Sequence, residues 1–159
     1  MLSRGEKTAM AEPWDTRVHI LLVEDNPGDV RLIQEALKTT DLQYVLDIAS
    51  DGDDALSRLL KESGLNSLPD LVILDLNLPR RSGHEVLALI KDHPRTRTIP
   101  VIILSSSALS EDIQKAYGLH ANCYIQKPQN IDDFFHVCSL LEAFWFEVAR
   151  LPKTNQHRM

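Results

Sequence analysis

The stretch Leu71-Val72-Ile73-Leu74-Asp75-Leu76-Asn77-Leu78-Pro79 decides the fold. Four consecutive aliphatic residues, opened by Pro69-Asp70, match a strand covered on both faces, as parallel strands are. The run ends on an acid, Asp75, at the place where open α/β sheets gather ligands. Working outward, three more runs end in the same manner. Val18-His19-Ile20-Leu21-Leu22-Val23 delivers Glu24-Asp25, Pro100-Val101-Ile102-Ile103-Leu104 delivers Ser105-Ser106, and Cys123-Tyr124-Ile125-Gln126 delivers Lys127-Pro128.

Helical signals fill the gaps between these runs. Asn26-Pro27 offers an N-cap with proline at the first helical position, and Val30, Ile33, Ala36 and Leu37 then share a face. A short strand is expected from Tyr44 to Ala49. Asp51-Gly52 turns into a helix carrying Ala55, Leu56, Leu59 and Leu60, and residues 64–69 read as a loop. Arg80-Arg81-Ser82-Gly83 leads to a helix with Val86, Leu87 and Ile90. Ser110 is expected to cap a helix that Gly118 stops. A long helix should run from about Ile131 to Leu151. Five strands alternating with five helices predict a doubly wound parallel α/β sheet with helices on both faces. Residues 1–16 and 152–159 read as tails around one domain, 17–151.

Composition limits the function. The 159 residues are 43% hydrophobic and 25% charged, with a formal net charge of −6. That balance argues against non-specific nucleic-acid binding. No apolar run is long enough for a membrane span, and no signal peptide precedes Trp14. Cys123 and Cys138 lack metal-ligand spacing and read as small buried residues of a reduced cytoplasm.

Three acids, a hydroxyl and an amine at strand ends fit a metal-assisted phosphoryl site. Asp25 and Asp75 can hold Mg2+ or Mn2+ directly, Glu24 can act through water, and the Asn77 carbonyl can add a ligand. A divalent cation relieves the mutual repulsion of these carboxylates and offsets charge on an incoming phosphoryl group. Lys127 and Ser105 can contact phosphoryl oxygens, and Asp75 is the expected nucleophile and phosphorylation site. Pro128 makes a cis peptide after Lys127 an expectation.

Residues 17–150 resemble a response-regulator receiver domain of two-component signalling. The resemblance rests on Glu24-Asp25, Asp75 in ILDLNLP, Gly83, Ser105 and Lys127-Pro128. It implies a flavodoxin-like strand order 2-1-3-4-5. It also implies phosphoryl acceptance at Asp75, slow self-dephosphorylation, and switch roles for Ser105 and Tyr124. The segments LLVEDNPGDVRLIQEAL and LLEAFWFEVARLP are similar to single-domain regulators paired with phytochrome histidine kinases. That implies a phytochrome-type sensor kinase as partner. The eight residues after Leu151 leave no expected output module, so the chain should act through its own surface, that of the fourth helix, the fifth strand and the last helix.

The last helix points to self-association independently of the family. Phe134, Cys138, Leu141 and Trp145 form one apolar stripe, and Val137, Leu140, Phe144 and Leu151 form a second. A homodimer through Val137, Leu140 and Phe144 is expected. Two other readings compete with a working receiver. One is a degenerate receiver used only as a binding scaffold. The other is a haloacid-dehalogenase-like phosphatase, disfavoured because Asn77 stands where that family has a second, proton-donating aspartate.

Overall fold

The computed structural model describes residues 17–39, 41–61 and 68–152. The expected tails, apart from Pro152, and most of the loop before Pro69 lie outside the described residues. Five strands, β1 (Val18–Val23), β2 (Tyr44–Ala49), β3 (Leu71–Leu74), β4 (Val101–Ser105) and β5 (Cys123–Gln126), make one parallel sheet. Their order is β2-β1-β3-β4-β5, the flavodoxin-like order.

Parallel neighbours need crossovers, and helices supply them. The crossovers are α1 (Pro27–Leu37), α2 (Gly52–Leu60), α3 (Gly83–Asp92) and α4 (Ser110–Gly118), and α5 (Ile131–Glu142) follows the last strand. Alternate residues of the central strands face opposite layers. Leu21, Val23, Val72, Leu74, Val101 and Ile103 pack with α2, α3 and α4. Ile20, Leu22, Leu71, Ile73, Ile102 and Leu104 pack with α1 and α5. This two-sided burial explains the unbroken aliphatic runs. Register then aligns the carboxyl ends, with Val23 opposite Leu74, Leu74 opposite Ile103, and Ser105 opposite Gln126. Residues 24–25, 75, 105 and 127 therefore share one edge.

Caps explain where several helices begin. Asn26 accepts from the Gly28 and Asp29 amides, Asp51 from the Asp54 amide, and Ser82 from the Glu85 amide. Two expectations fail around α4. Ser110 is the first helical residue rather than the cap, and Leu109 holds the cap position without a side-chain bond. At the other end the left-handed residue is His120, with φ 73°, and Gly118 stays inside the helix. The glycine marked the end of α4 without supplying the turn.

The last helix also departs from expectation. After Glu142 it widens into a π-helical turn, Ala143–Val148, closed by the Ala149 amide donating to the Phe144 carbonyl. The wider turn advances the core-facing position by one residue. Phe146, not Trp145, is buried below Leu141. Trp145 is half-buried and meets Phe144 edge-on, with ring centroids 5.3 Å apart. Leu151 packs against the α1/α5 core rather than joining the second stripe. Its place is taken by Val148, so Leu140, Phe144 and Val148 stand 57%, 51% and 68% exposed at four-residue spacing, with Val137 half-buried beside them.

Candidate functional site

Asp75 follows β3 directly, and its amide donates to the Val23 carbonyl, so the acid starts where the ladder ends. The chain then turns sharply. The Gly83 amide donates to the Leu76 carbonyl at 2.8 Å. A Cβ on Gly83 would collide with the Asp75 carbonyl oxygen and lie 2.5 Å from the Leu76 Cα, so only glycine lets α3 start this close. Arg80, with φ 69°, pairs with Asp51, and Arg81 pairs with Asp53 at 2.7 Å. These ion pairs tie the loop after Asp75 to the start of α2.

Lys127 is held by the sheet. Its amide donates to the Ser105 carbonyl at 2.8 Å, which aims the side chain across the strand ends. Its buried ammonium donates to Glu24 at 2.6 Å, Asp29 at 2.8 Å and Asp75 at 3.2 Å. All three N–H donors are thereby used. Burial works against the lysine's charge, but bonds to Asp29 and Glu24, and the charges of Asp75 and Glu24, outweigh it and raise its pKa. Glu24 is pushed up to about 7, mainly by burial. Its bond to Lys127 opposes that shift and the Asp75 charge adds to it.

Carboxylate oxygens of Glu24, Asp25 and Asp75 lie within 4.8 Å of one another, with Asp25 exposed and the other two buried. Hard oxygen donors on one open side suit Mg2+ or Mn2+. Asn77 is exposed, and its amide donates to Asp75 Oδ1 at 3.3 Å.

One lysine thus bridges acids from two strand ends and the first turn of α1. The model of the response regulator receiver domain matches residues 20–138. The chain belongs to this family.

Two relatives, Rcp1 and RcpA, are matched along nearly their full length. The chain is 43% identical over 135 residues to the response regulator Rcp1 of Synechocystis sp. (strain ATCC 27184 / PCC 6803 / Kazusa), covering 84% of this chain and 92% of Rcp1. Among solved structures it is similar to the Mn(2+)-bound form of Rcp1, with a TM-score of 0.81 and 44% identity, over 85% of this chain and 99% of that one. It is also similar to the phosphorylated cyanobacterial phytochrome response regulator RcpA, with a TM-score of 0.83 and 44% identity, over 87% of this chain and all of RcpA (100%). Family membership sets aside the haloacid-dehalogenase reading.

In this receiver the expected residues converge, with one correction. The described residues contain no cis peptide, so the bond before Pro128 is trans. Trans is the preferred isomer by about 0.5–1 kcal/mol, and the long Lys127 side chain reaches all three acids without the cis bend. Ser105 is fully buried, and its Oγ accepts from the Ser107 amide at 3.3 Å. Tyr124 is half-buried, and its hydroxyl donates to the Ser107 carbonyl.

Two contributors escaped the sequence reading. Asp29 contacts Lys127; its only signal was its place in the first turn of the helix leaving β1. Ser107 links the β4–α4 loop to α4, through its hydroxyl on Asp112 at 2.5 Å. A serine run reads as a plain polar turn, so nothing in sequence distinguished Ser107.

Proposed function

We propose that Asp75 accepts a phosphoryl group from a sensor histidine kinase, and that Ser105, Lys127 and Tyr124 convert it into a change of the α4-β5-α5 surface. One observation carries this: the Lys127 ammonium contacts Asp75 inside a group of acids able to hold a divalent cation. An Asp75 oxygen forms a bond to phosphorus while the P–N bond to the kinase histidine breaks. The electron pair stays on the imidazole nitrogen, which takes up a proton. Lys127 offers N–H donors to the transferred oxygens, and Ser105 offers its hydroxyl. Glu24, Asp25 and Asp75, with the Asn77 carbonyl, would hold Mg2+ or Mn2+, whose charge would offset that of the phosphoryl group. Slow self-dephosphorylation would return the site to its resting state.

Similarity to RcpA and Rcp1 supports a phytochrome-type kinase as the donor, and a cytoplasmic setting goes with that partner. The exposed Leu140, Phe144 and Val148 support a homodimer on the last helix, since an apolar stripe of this kind gains most by facing its own copy.

The test is radiolabel transfer from acetyl phosphate and from a phytochrome kinase. Wild type should take up label and Asp75→Asn none. Labelling of Asp75→Asn at the wild-type level would refute the assignment, and failure of wild type to label would favour a binding scaffold. Lys127→Ala should accept some label yet lose the amide-exchange response in residues 105–118 and 123–130.

A further inference from the structure

We propose that Asp29 is the resting partner of Lys127 and competes with the phosphoryl group for it, so that this helix-borne acid sets how strongly phosphate engages the switch; the inference rests on Asp75 being the acceptor. Asp29 is placed by the start of α1. Its amide is bound by the Asn26 cap at 3.1 Å in the first turn of α1, and its carboxylate reaches Lys127 Nζ at 2.8 Å. It stays partly open to solvent, at 23% exposure, against 2% for Glu24 and 7% for Asp75.

The three partners of Lys127 differ in what a cation does to them. Glu24 and Asp75 belong to the cluster whose oxygens lie within 4.8 Å of one another, and Asp29 does not. A divalent ion held by that cluster would neutralise much of the pull of Glu24 and Asp75 on the ammonium. Asp29 would keep its full charge and become the dominant partner. Lys127 has three N–H donors and all are committed, so a phosphoryl oxygen gains one only by displacing a carboxylate. With the ion in place, the carboxylate to be displaced is Asp29. A charge-assisted bond is among the stronger polar contacts, so the competition is measurable.

The substitution Asp29→Asn keeps the shape and removes the charge. Beryllofluoride binding in saturating Mg2+, followed by calorimetry, reports engagement of a phosphoryl-like group. Asp29→Asn should tighten it about fivefold, the order expected when a competing charge-assisted bond becomes a neutral one. Removing a negative charge could also help any anion, and a double-mutant cycle separates the two causes. In Lys127→Ala, the same Asp29→Asn change should alter affinity by less than about twofold. An equal gain in both backgrounds would overturn the competition. A second readout needs no lysine variant. The Lys127 15Nζ resonance of the Mg2+-saturated protein should move on Asp29→Asn and should coincide in the two proteins once beryllofluoride binds. A resonance indifferent to Asp29→Asn would overturn the proposal while leaving Asp75 as acceptor. Absence of beryllofluoride binding in wild type would remove the acceptor reading and this one together.

Discussion

The Tyr124 hydroxyl donates to the Ser107 carbonyl at 2.8 Å, joining β5 to the β4–α4 loop. The bond spans the two segments that must move together if Ser105 is to read phosphate. Tyr117 adds to it, its hydroxyl accepting from the Tyr124 amide at 3.1 Å.

Tyr124→Phe should therefore loosen this loop without disabling the acid cluster. One neutral hydrogen bond is worth about 1 kcal/mol, so amides of residues 106–110 should exchange about fivefold faster. Label uptake at Asp75 should stay near the wild-type rate. Unchanged exchange would mean the loop is held by Ser107 and Asp112 alone.

Metal affinity should follow pH through the Glu24 titration. Its carboxyl sits near 7 because burial favours the neutral form. A cation needs the charged form, so binding must release a proton below that value. Mg2+ should bind about tenfold more weakly at pH 6 than at pH 8 and level off above that. The sign for folding is opposite. A carboxyl raised in the folded state contributes stability below its unfolded pKa, and that contribution is lost as pH rises towards 7. Calorimetric Mg2+ titrations across this range check the first claim. EDTA should also abolish labelling, with Mg2+ restoring it.

Two glycines should respond in opposite directions to alanine. At Gly83 the new methyl meets backbone atoms of Asp75 and Leu76, which cannot yield without moving the acceptor. A loss of about 3 kcal/mol, or roughly 6–12 °C in Tm, is expected. At Gly118 nothing lies within 4 Å and φ is not positive. Alanine there should stabilise by about 0.5–1 kcal/mol. Thermal melts of both variants decide the matter.

Phe144→Asp should give a folded monomer that still accepts label. An aspartate in the stripe of Leu140, Phe144 and Val148 would have to be buried unpaired in a dimer. Light scattering of wild type at micromolar concentration should give twice the monomer mass. A wild-type monomer would end the self-association proposal.

Much of the site was legible because it is built from strand ends. Buried parallel strands announce themselves as aliphatic runs, and the residue after each run falls on one edge once the sheet forms. That is why Asp75, Glu24, Asp25, Ser105 and Lys127 could be read together. Asp29 could not, because its contact with Lys127 depends on how α1 leaves β1, and no pattern in the helix records that angle. The trans bond at Pro128 was equally hidden, since the Lys-Pro pair permits either isomer. In the last helix, apolar periodicity found the core face up to Leu141. It then misplaced Trp145 and Leu151, because a count at 3.6 residues per turn assumes a turn that the chain widens.

That widened turn has a consequence for how the chain tolerates change in length. From Leu141 to Phe146 the helix spends five residues on one return to the core, where an α-helix spends four. The segment is therefore an ordinary helix carrying one supernumerary residue. Excising Ala143 would let Phe146 reach the same pocket in regular geometry, and the buried side would scarcely register the loss. On the outward side Leu140 and Phe144 would stay on one face but stand three positions apart instead of four. A change of one residue in length here would close up the outer stripe and leave the inner face intact.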